Sequence, residues 1–194
     1  MTTTVPLDMN YNPLSYVDRL DERPLASIEL VVIHATELPD LETAREYGER
    51  IHYQGSQTGN SGHFYIDRDG SVHQWVALER VAHHVRGHNR NSVGIELVNR
   101  GRWPDWFDSR HQDWPEDYST AQIEALILLL SELRSRLPGL RHIAGHDELD
   151  TGTVAASDDA AIEVHRKLDP GPHFPWTRVL DRVALERNAG LSRG

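Results

Sequence analysis

The sequence predicts an α/β fold: a single domain with a central mixed β-sheet flanked by helices. Three observations carry that expectation. Ile28–Ile33 (IELVVI) is a short β-branched apolar run that suits a buried central strand. Asp69-Gly70 marks a hairpin turn between two short strand-like segments. Ser119–Leu137 is a long amphipathic helical pattern lying between strand candidates, and strands interleaved with helices fold into a sheet covered by helices. A chain of 194 residues holds one well-buried core and is short for two.

Taken in order, residues 1–24 hold Pro6, Pro13 and Pro24 among polar residues without periodicity, and are expected to form an irregular N-terminal arm. Residues 25–190 are expected to form the folded domain. After the Ile28–Ile33 strand, Pro39-Asp40 is a helix start signal. Leu41, Ala44, Tyr47, Gly48 and Ile51 follow at helical spacing, which predicts a helix over 41–53. Gly55–Gly62 is a polar glycine-rich loop, and His63–Asp67 and Ser71–Val76 are the hairpin strands. Ser92–Val98 reads as another strand, in which Glu96 interrupts an apolar stretch. In the Ser119–Leu137 helix, Ser119 and Gln122 form a capping box, Ile123, Leu126, Ile127, Leu130, Leu133 and Leu137 line one face, and Pro138-Gly139 stops it. Leu140–Ala144 is a short strand leading to Gly145-His146, Asp147–Ala161 an acidic surface loop, and Trp176–Asn188 a closing helix ending at Gly190.

Composition removes several functions. No apolar run approaches the roughly 20 residues of a membrane span, and a net charge of −10 without a Lys/Arg cluster has the wrong sign for a nucleic-acid partner. The chain is expected to be monomeric. With no cysteine, there is neither a thiolate nucleophile nor a thiolate metal site, so any metal must sit on His, Asp or Glu. Twelve histidines supply ample ligands.

His34, His146 and Asp169 stand at strand ends or in loops and suit zinc, which commonly takes three N/O ligands in a catalytic site. Spacing alone does not single them out. His142 and His146 have the i, i+4 spacing of a helical zinc pair, but Ile143 stands where the metalloprotease motif needs Glu, and Gly145 argues against a helix there. The acidic stretch after His146 lacks the EF-hand alternation, because Leu149 and Thr151 break it.

Five segments occur in an order that carries a resemblance: Ile33-His34-Ala35-Thr36, Ser61-Gly62-His63-Phe64, Ser92–Leu97 (SVGIEL), Gly145-His146 and Lys167–Pro172 (KLDPGP). They resemble the motifs of the AmpD-type zinc N-acetylmuramoyl-L-alanine amidases, which share a fold with phage amidases and animal peptidoglycan recognition proteins. The resemblance runs from about Ile28 to Trp176. It implies one zinc per chain on His34, His146 and Asp169, with Glu96 and Lys167 as catalytic side chains. It also implies hydrolysis of the amide between N-acetylmuramic acid and L-alanine in peptidoglycan or soluble muropeptides, anhydro-muropeptides included. A non-catalytic peptidoglycan-binding module and a zinc peptidase of the peptide stem are the rival readings.

The chain departs from that pattern in three places. Gly62 stands where the phage enzymes carry a catalytic tyrosine, which leaves the glutamate-based arrangement. The stretch between His146 and Lys167 is longer and more acidic than in the compact members. His83 replaces a usual tryptophan, and beside it His84, Arg86 and Asn89 are candidate substrate contacts. Met1–Asn10 lacks the basic and apolar regions of a secretory signal, so a cytoplasmic location is expected, the alternative being release by phage lysis or a signal-independent secretion system.

Overall fold

The computed structural model describes residues 8–187. Strands β1 (Met9–Tyr11), β2 (Leu30–Ala35), β3 (Phe64–Ile66), β4 (Val72–Gln74), β5 (Ser92–Leu97), β6 (His142–Gly145) and β9 (Glu186–Arg187) form one mixed sheet. Its order is β1-β4-β3-β5-β2-β6-β9, antiparallel between β3 and β4 and parallel elsewhere. Strands β7 (Thr153–Ala155) and β8 (Glu163–His165) pair as a separate hairpin. The helices are α1 (Leu41–Gly48), α2 (Thr120–Arg136), α3 (His146–Leu149) and α4 (Trp176–Leu180).

Every residue of β2 is buried, as a central parallel strand covered on both faces requires. Helix α2 covers one face. Ser119 accepts from the Gln122 amide and Gln122 reaches back to Ser119, closing the expected capping box. Ile123, Leu126, Ile127, Leu130 and Leu133 then pack on Val31, Ile33, Val93, Ile95 and Leu97. The turn between β3 and β4 places Gly70 at φ +87°, the backbone region that favours glycine.

Four expectations are corrected. The described part of the arm is structured: β1 extends the sheet beside β4, and Leu14, Tyr16 and Leu20 are buried. Pro13 fits because the amides of Asn12 and Leu14, on either side of it, make the bonds to Gln74 and Trp75. Residues 1–7 lie outside the described residues.

Helix α1 ends at Gly48 and not at Tyr53. The Tyr16 hydroxyl donates to the Gly48 carbonyl, while the His52 amide turns away to Thr58. The expected acidic loop, Asp147–Ala161, contains most of α3 and strand β7, which pairs with β8 just beyond it. The closing helix stops at Leu180, and the chain then adds β9 to the open edge of β6. The expected end at Asn188 and Gly190 lies outside the described residues. Among the described residues, no helix is long and apolar enough to cross a membrane.

Candidate metal and catalytic site

The face of the sheet opposite α2 carries the site, and strand alternation puts it there. In β2, Val31 and Ile33 face α2, so Leu30, Val32 and then His34 face the other way. In β5 the same alternation turns Ser92, Gly94 and Glu96 away from α2. The register pairs His34 with Glu96 and Glu96 with Tyr65, so these three side chains stand side by side across neighbouring strands. Ala144 pairs with Val32, and His146 follows two residues on, past the end of β6.

Asp169 closes the group from the opposite end of the chain. Its Oδ2 lies 2.9 Å from His34 Nδ1 and 3.1 Å from His146 Nδ1, and all three residues are buried. One ligand atom from each lies within 4.8 Å of the others. Asp169 Oδ1 is buried without a hydrogen-bond partner, a costly arrangement for a carboxylate unless a cation completes it. Burial and the neighbouring His146 hold the His34 imidazole down at about 4, hence neutral, the form that ligates metal. Burial opposes the charge of Asp169, but the two imidazoles and the Lys167 ammonium outweigh it and keep the carboxyl well below the usual range. Two imidazoles and one carboxylate converging on one point fit a zinc ion.

Glu96 Oε1 stands 4.0 Å from His34 Nδ1. Burial, reinforced by the Asp169 charge, pushes its carboxyl up to about 8. Gly62 makes room for it, since a Cβ there would lie 2.8 Å from Glu96 Cγ. A larger residue at 62 would therefore force the Glu96 side chain to shift.

A family model described as N-acetylmuramoyl-L-alanine amidase matches residues 24–172. The chain belongs to the N-acetylmuramoyl-L-alanine amidase family. It is 27% identical over 180 residues to the 1,6-anhydro-N-acetylmuramyl-L-alanine amidase AmpD of Enterobacter cloacae, covering 81% of this chain and 80% of that one. It is 37% identical over 86 residues to the endolysin of Klebsiella phage KP32, covering 44% of this chain and 52% of that one. The structure of an AmpD selenomethionine derivative shares the fold, with a TM-score of 0.63 at 22% identity over 92% of this chain and 96% of that one.

In this amidase the site opens into a cleft of about 540 Å³. Lys167 lines it half-buried, and its charge acts on both Glu96 and Asp169. Arg86 lies exposed on the rim. His84 and Asn89 also line the cleft but are engaged with the protein. His84 has both ring nitrogens bonded, to His34 and Ser92, and Asn89 Oδ1 accepts from the His84 and Val85 amides.

Several contributors lack a local signal in the sequence. Glu37 and Arg102 form a buried bidentate pair, with two contacts of 2.8 Å, and Arg102 also donates to the His165 carbonyl. Arg166 pairs with Asp150. These two pairs hold the chain at His165 and Arg166, just before Lys167. Arg23, from the expected arm, is buried and contacts His63 beneath the site at 2.8 Å.

The His34 shift sets a pH dependence for the metal-stripped protein. A folded value near 4 against an ordinary 6.5 means the unfolded chain binds the proton first. That contribution is complete above 6.5 and is lost as pH falls through 4, about 3 kcal/mol in all. Glu96 acts oppositely, favouring the fold below its ordinary 4.5 and losing that contribution as pH rises through about 8. In metal-stripped Glu96→Gln, urea unfolding is therefore expected to show stability falling from pH 7 to pH 4, and a flat profile would contradict the histidine shift.

Proposed function

We propose that this amidase hydrolyses the bond between the lactyl carbonyl of N-acetylmuramic acid and L-alanine, with one zinc held by His34, His146 and Asp169. The convergence of these three ligand atoms within 4.8 Å, beside a buried Glu96 in an open cleft, carries the reading. Zinc supplies Lewis acidity there, the property that makes water nucleophilic near neutral pH. Glu96 takes a proton from the attacking water and returns it to the departing alanine nitrogen as the C–N bond breaks. A carboxyl held at about 8 is suited to both transfers near neutrality. The Lys167 ammonium faces the negative charge that develops on the carbonyl oxygen, while Arg86 on the rim is placed to meet the muropeptide.

We take soluble anhydro-muropeptide as the substrate and the cytoplasm as the place of action. The match across 80% of a relative named for that substrate supports this, whereas the endolysin match covers 52% of its relative. Incubating zinc-loaded protein with soluble anhydro-muropeptide and with intact sacculi, and identifying products by mass, tests it. Release of free stem peptide from the soluble substrate is expected. Release from sacculi alone would overturn the substrate assignment, and cleavage within the stem would overturn the bond assignment.

Lys167→Ala is expected to lower kcat by about 10²–10³ with zinc content unchanged, because an oxyanion donor acts on the transition state and not on the ligand set. A rise in KM with kcat intact would reduce Lys167 to uniform substrate binding.

A further inference from the structure

His84 and Ser92 are joined to His34 by a chain of hydrogen bonds whose direction the geometry determines. Ser92 Oγ lies 2.7 Å from the His88 carbonyl oxygen and 3.2 Å from His84 Nε2. A carbonyl oxygen only accepts, so the single Ser92 proton goes to it and Ser92 Oγ must accept from His84. His84 Nε2 therefore carries a proton, and in a neutral imidazole Nδ1 is then bare. That bare nitrogen stands 3.0 Å from His34 Nε2, which must donate to it. His34 is left with a bare Nδ1, the atom that faces His146 and Asp169.

We infer that His84 and Ser92 are positioning residues: they hold His34 in the one tautomer whose Nδ1 lone pair is directed at the metal centre. The surroundings are shaped to keep the relay in place. A Cβ on Gly94 would lie 2.6 Å from the His84 ring, so the imidazole lies directly over that glycine. Asn89 Oδ1 fixes the backbone here by accepting from the His84 amide at 3.0 Å and the Val85 amide at 2.8 Å. The outward face of β5 thus has one task at each alternate position: Ser92 anchors the relay, Gly94 makes room for it, and Glu96 stands at the reacting centre. Such partners of a ligating imidazole typically change metal affinity by about 10–100-fold.

The inference rests on the zinc reading of the site, and two measurements separate them. Long-range nitrogen-15 NMR of the metal-stripped full chain reads tautomers without zinc, and is expected to show both His34 and His84 protonated at Nε2. His84 protonated at Nδ1 would overturn the relay. Chelator competition then gives the zinc dissociation constant: Ser92→Ala is expected to weaken binding about 10–100-fold, and Ser92→Thr, which keeps the hydroxyl, to restore it. Unchanged affinity in Ser92→Ala would also overturn the relay. If the unaltered protein bound no zinc, the metal reading would fail, and the tautomer spectrum of that same protein would still decide the hydrogen-bond chain.

Discussion

His34→Ala, His146→Ala and Asp169→Ala are each expected to lose zinc and to fall to background turnover, the largest effects anticipated for this protein. Each removes one of three donors, and no cysteine stands by to replace it. The carboxylate change differs in kind from the other two. Asp169 is the one anionic donor of the three, so its loss also removes the charge that offsets a bound cation. The measurement is zinc per chain after dialysis against a limited zinc supply, with hydrolysis assayed on the same preparations. Stoichiometric zinc in the His34→Ala, His146→Ala double variant would sink the ligand assignment.

Glu96→Gln comes second, with turnover expected to drop by about 10²–10⁴ while zinc remains. Glutamine keeps the shape that fits over Gly62 but cannot take the proton of the attacking water. Loss of zinc in this variant would instead make Glu96 a ligand, a role outside the converging group of His34, His146 and Asp169. Near-normal turnover would remove it from the mechanism.

How far the site was legible in advance follows from how local each signal is. The capping box of α2, its apolar stripe and the Asp-Gly turn depend on neighbours within a few residues, and all three stand as read. Strand β1 has no readable signal because three residues, two of them exposed, are too few to show alternation before a proline. The closing segment was overextended because the edge of β6, which captures Glu186–Arg187, is distant in sequence. The sequence makes His84 and Asn89 candidate substrate contacts; both line the cleft, and only the structure shows that both His84 ring nitrogens and Asn89 Oδ1 are also bonded within the protein.

The sequence by itself determined the α/β class, the main helix, the motif residues and, through the absence of cysteine, the N/O character of any metal site. Tertiary structure alone decided which of those residues meet. His34 and Asp169 are 135 positions apart, and no periodicity links them. Their approach depends on parallel strands whose register brings His34 beside Glu96, and on a segment fastened by the Arg102 and Arg166 pairs. The direction of the His34–His84–Ser92 chain is likewise tertiary, since it hangs on the His88 carbonyl, a backbone atom whose position no side-chain pattern encodes.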